Sequence, residues 1–144
     1  HWKLNKLIVF WDNNNITIDG TVDKASSVDQ VKRFLAAGWN VLEVDGQNQE
    51  DIAQAIIKAQ KSEKPTLIAC KTTIGFGAPT KSGTSACHGS PLGEEELAAM
   101  REKSGWTYGA FEVPEEVLNA WREAGKKNIS AGCRLRKIIK NFAI

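Results

Sequence analysis

The run Leu7-Ile8-Val9-Phe10-Trp11 is short, apolar and ends in Asp12-Asn13-Asn14-Asn15-Ile16, which reads as a buried parallel strand delivering a polar loop. Ligands in open parallel sheets bind beyond the carboxyl ends of the strands, so these residues stand where chemistry is done. An amide oxygen and a backbone carbonyl are hard, neutral ligands suited to Mg²⁺, which also takes phosphate oxygens in near-octahedral geometry. A site of this kind expects a diphosphate. Three adjacent asparagines by themselves more often form a turn, because Asn tolerates left-handed backbone and bonds its own chain. A second candidate is His88, within Cys87-His88-Gly89-Ser90-Pro91-Leu92-Gly93. An imidazole can donate to an anion in either protonation state, or it can stabilise its own turn.

These residues need a frame, and the rest of the pattern supplies one. Ser27 is a good N-cap for a helix on which Val28, Val31, Phe34 and Leu35 recur at helical spacing, and Gly38 supplies its stop. Val41-Leu42-Glu43-Val44 reads as a strand, and Asn48 caps a helix whose inner face is Ile52, Ile56 and Ala59. Pro65 introduces the strand Thr66-Leu67-Ile68-Ala69-Cys70. Strands alternating with helices predict an α/β fold, a parallel sheet with flanking helices and right-handed crossovers. Gly75 to Gly93 is irregular and too long for a mere connection, so it reads as a functional loop. Two helices follow, Glu94 to Lys103 and Pro114 to about Glu123. From residue 126 the character changes: Leu135, Ile138, Ile139 and Phe142 mark a basic amphipathic helix, so the expected division is 1–125 and a tail of 126–144.

At 144 residues the chain has the length of one domain, and its net charge of +2 is too small to argue for nucleic acid. No stretch of about 18 apolar residues occurs, so no membrane span is expected. Cys70, Cys87 and Cys133 lack C-x-x-C spacing and His partners, which fits a reducing, cytoplasmic setting and excludes a zinc site. There is no G-x-x-x-x-G-K-[ST], and Gly75-Phe76-Gly77 lacks the third glycine of a dinucleotide fingerprint.

Read in order, Asp12-Asn13-Asn14-Asn15-Ile16-Thr17-Ile18-Asp19-Gly20, Trp39 to Gly46, Lys64 to Thr72, Thr73-Ile74-Gly75-Phe76-Gly77-Ala78-Pro79 and His88 to Gly93 resemble transketolase. The likeness runs from His1 to about Trp121 and corresponds to the second half of the family's cofactor-binding domain, a partial thiamine diphosphate-binding fold. The resemblance implies thiamine diphosphate and Mg²⁺ as cofactors. It also implies transfer of a two-carbon ketol unit between sugar phosphates, and a homodimer or the remainder of a transketolase chain as partner. Asn14 matches the asparagine whose side chain binds Mg²⁺ and the diphosphate. Ile16 matches the residue whose carbonyl completes that metal site. His88 matches the histidine that contacts the diphosphate and lies near the substrate.

Two departures stand out. Ser85 occupies a position where the family usually has a histidine, with Cys87 immediately before His88. The family's G-D-G segment, whose aspartate is the charged metal ligand, lies upstream of where this sequence begins, as do further active-site histidines. The pyrimidine-binding domain is likewise outside it. The chain alone is therefore expected to be inactive, and the competing reading is a truncated relic that acts only as a binding or assembly module.

Overall fold

A computed structural model describes residues 4–126, and the expected basic helix near Leu135 lies outside the described residues. The chain parts into two compact units at Gly105 and Trp106. In the first, strands β1 (Ile8–Asn13), β4 (Asn40–Asp45) and β5 (Thr66–Lys71) form a parallel sheet in the order β1-β5-β4. Between β1 and β4 lie a small hairpin, β2 (Ile16–Thr17) with β3 (Gly20–Thr21), and helix α1 (Gln30–Ala36). Helix α2 (Gln49–Gln60) joins β4 to β5, and α3 (Glu94–Ser104) follows the long loop. The expected parallel α/β sheet with flanking helices is what forms.

The central place of β5 explains its sequence. Thr66 to Cys70 are all buried, so an uninterrupted apolar run is required, and the one polar member, Thr66, accepts a 3.2 Å hydrogen bond from Asn40 Nδ2. Successive strand side chains alternate between faces. Ile68 and Cys70 meet Ala55 and Ala59 of α2 on one face, with Ile8, Leu42, Val44 and Ile56 packed around them. On the other face Phe34 of α1 shares a cavity of about 450 Å³ with Val9, Trp11 and Leu67.

Two local expectations are adjusted. The strand read as buried is an edge strand that pairs only with β5 among the described residues, and Phe10 on it is half exposed. The first helix is capped by Asp29, whose carboxylate accepts from the Lys32 N–H at 3.0 Å, rather than by Ser27. Asp29 also pairs with Lys32 Nζ at 2.9 Å, and these bonds from Lys32 hold its carboxyl below the usual range. The helix stops where expected: Gly38 takes φ +83 and Trp39 N–H closes on the Phe34 carbonyl at 3.1 Å, a left-handed ending that favours glycine. Asn48 caps α2 as read, accepting from the N–H groups of Glu50 and Asp51.

In the second unit, residues 115–126 are helical, beginning just after Pro114 as expected. Trp106 and Tyr108 meet edge to face with centroids 5.2 Å apart.

Candidate functional site

Parallel strands end together, so the loops after β1 and β5 leave the sheet at the same edge. Asn13 pairs with Lys71 at the last register position, and the Thr72 N–H donates to the Asn13 carbonyl at 3.3 Å. Beyond that point the chain turns sharply. Asn14 Oδ1 accepts the N–H of Ile16 at 3.0 Å, and Asn15 adopts φ +60, the left-handed conformation Asn tolerates better than most residues. The turn reading of the asparagines is therefore correct as local structure.

The same turn carries the candidate ligand atoms. Val22 N–H donates to the Asn15 carbonyl at 3.1 Å, which makes that pair a hydrogen-bonded one. By the alternation of an antiparallel ladder, the next pair, Ile16 with Thr21, is not hydrogen-bonded, so the Ile16 carbonyl points out of the hairpin. An amide oxygen has two lone pairs, so Asn14 Oδ1 keeps one after receiving the Ile16 N–H, and its Nδ2 carries two donors. Asn14 and Ile16 line a cleft of about 970 Å³ together with Trp11, Asp12, Val22 and Asp29. Neither Trp11 nor Asp29 stands out in the sequence as a residue for this place. Asp29 ends an irregular segment of unremarkable composition, and only folding sets it opposite the strand end.

His88 does not line that cleft. It lies on the exposed loop after β5, where its N–H closes a 3-10 turn over Ser85–Cys87 by donating to the Ser85 carbonyl at 3.0 Å. Its neighbour Cys87 faces inward, with Sγ 3.4 Å from the Lys81 carbonyl and 3.3 Å from that of Thr84. The loop is pinned to α3 by Glu96, which accepts from both the N–H and the hydroxyl of Thr80. The Thr80 hydroxyl holds the Glu96 carboxyl below its ordinary range. Cys70, close behind the strand end, has its thiol pushed upward by burial and by the charge of Asp12, so it stays protonated at neutral pH. Among the described residues no three His, Cys, Asp or Glu side chains gather as a metal cluster.

Residues 1–143 match the family described as transketolase, thiamine diphosphate binding domain. The transketolase of Rhodobacter capsulatus is 49% identical over 125 residues, 87% of this chain and 19% of that protein. Transketolase 2 of Vibrio vulnificus is 54% identical over 125 residues, 85% of this chain and 19% of its own. The solved transketolase from Leishmania mexicana superposes with a TM-score of 0.83 at 32% identity, covering 99% of this chain and 22% of that one. The chain spans about a fifth of the length of the curated relatives it matches. With nearly every residue inside the match, and the parallel sheet of the fold in agreement, this chain belongs to the transketolase family through its thiamine diphosphate binding domain.

Proposed function

We propose that this chain supplies part of the cofactor site of a transketolase, which moves a two-carbon ketol group from a ketose phosphate to an aldose phosphate when the rest of the enzyme is present. The observation that carries the reading is the turn after β1, whose residues Asn14 and Ile16 carry neutral oxygens and line one cleft at the carboxyl end of the strand. That donor set suits Mg²⁺ with a diphosphate, and the G-D-G segment whose aspartate the family resemblance makes the charged ligand is not among these 144 residues.

Thiamine diphosphate, when bound, supplies the carbanion-stabilising chemistry that ketol transfer needs. Asn14 Oδ1 and the Ile16 carbonyl would hold Mg²⁺, Asn14 Nδ2 would donate to the diphosphate, and His88, on the loop outside the cleft that these two line, would contact the diphosphate near the sugar phosphate. The partner is the remainder of a transketolase chain or a second copy of this chain in a homodimer, in the cytoplasm. Residues 1–125 serve as the partial cofactor domain and 126–144 as a separate basic tail.

Mixing the chain with a protein that comprises the remaining residues of a transketolase tests this. Ketol transfer should appear with thiamine diphosphate and Mg²⁺, and should be lost with Asn14→Ala. A second reading, a module that only assembles with a partner, is favoured by the half-exposed Phe10, Val28 and Leu35, whose apolar surface a partner would cover. Stable association without ketol transfer would select it.

A further inference from the structure

His88 is exposed, and its hydrogen bond within the loop is a backbone one to Ser85, so its place depends on how the loop is held. The loop is costly to hold: Gly75, Gly77, Gly83 and Gly93 all take positive φ, and glycine loses more freedom on ordering than any other residue. Lys81 ties its two ends. Lys81 Nζ donates to the Leu92 carbonyl at 2.6 Å, joining the two ends of the segment that carries His88. Its own carbonyl accepts the Thr84 N–H at 3.2 Å and the Thr84 hydroxyl at 2.7 Å, and the Cys87 thiol lies 3.4 Å away. The preceding residue, Thr80, is anchored to α3 through Glu96. Lys81 is itself half-buried, where an ammonium to carbonyl bond is stronger than on an open surface.

We propose that Lys81 is a positioning residue for His88: its ammonium closes the loop from Lys81 to Leu92 and its carbonyl gathers the turn that ends in His88. The functional arm of this rests on the reading of His88 as a cofactor and substrate contact; the structural arm does not.

Hydrogen exchange on the intact chain, read by mass spectrometry, tests the structural arm. Lys81→Met should speed exchange across residues 82–92 by about tenfold, the factor expected when a charge-assisted hydrogen bond is lost, while β5 and α2 keep their protection. Lys81→Arg should restore the loop. Unchanged loop exchange in Lys81→Met, no rescue by arginine, or loss of protection over the whole chain in both Lys81→Met and Lys81→Gln would each overturn the proposal. In the reconstituted mixture, Lys81→Met should raise the KM for the sugar phosphate by about tenfold with a smaller change in kcat, and Lys81→Arg should reverse it. An unchanged KM beside a loosened loop would also overturn it. A wild-type mixture without ketol transfer would instead remove the reading of His88, with the exchange data still deciding whether Lys81 holds the loop.

Discussion

The Thr72 hydroxyl donates to the Asp12 carboxylate across 60 positions of sequence, joining the chain just after β5 to the end of β1. Among the described residues this is the one side-chain bond that ties the two loop origins directly at the sheet edge, beside the backbone bond from Thr72 to Asn13. Thr72→Val should therefore lower stability by about 1 kcal/mol, the net worth of a single such bond. Urea unfolding would measure it. Asp12→Ala combined with Thr72→Val should cost little more than either alone, because the two act as one pair.

Asn14 has two separable jobs, and two substitutions divide them. Asn14→Ala removes the acceptor for the Ile16 N–H, so it should lower stability by about 1 kcal/mol as well as weaken cofactor retention in a reconstituted enzyme. Asn14→Asp keeps the acceptor and should keep the turn, yet it loses the N–H donors and places negative charge beside the diphosphate. Calorimetry should then show cofactor affinity reduced by about tenfold or more in both variants, with stability near wild type only in Asn14→Asp.

The Glu96 carboxyl, lowered by its bonds from Thr80, makes the hold on the loop depend on pH. At acidic pH the unfolded chain binds the proton more readily than the folded one, so stability rises with pH through that range. The contribution is fully present above the ordinary glutamate value of about 4.3 and is lost as pH falls through the lower folded value. Comparing the pH dependence of thermal unfolding in wild type and Glu96→Gln should show a gap that is widest at neutral pH and closes in acid. A gap that stayed constant down to strongly acidic pH would contradict this assignment.

Gly75 takes φ +63, and a side chain there would put its Cβ 2.8 Å from Cys87 Sγ. Gly75→Ala should thus cost more than the ~1–2 kcal/mol of left-handed backbone strain alone. Adding Cys87→Ala removes the collision and leaves the strain, so the double variant should recover part of the loss. Equal denaturation midpoints for the single Gly75 variant and the double variant would show that the thiol is not packed there.

Much of this architecture was legible because it rests on local rules. The apolar run from Thr66 to Cys70 announced the central strand, Asn48 announced the start of α2, and Gly38 announced the end of α1. The cap of α1 was misplaced by two residues because Ser27 and Asp29 are both competent caps, and their ranking depended on Lys32 folding back onto Asp29. The half-exposed face of β1 was also illegible, since an apolar strand reads alike at the centre and at the edge of a sheet.

The residues at the candidate site divide in the same way. Sequence by itself determined that Asn14, Ile16 and His88 are worth attention and that the chain carries a parallel sheet, because motif wording and hydrophobic period are written in neighbouring residues. Only the tertiary structure decided that the Ile16 carbonyl faces out of its hairpin, that Thr72 reaches Asp12, and that Lys81 spans to Leu92. Those relations join positions far apart in the chain or depend on which way a carbonyl turns, and a one-dimensional pattern holds neither distance nor direction.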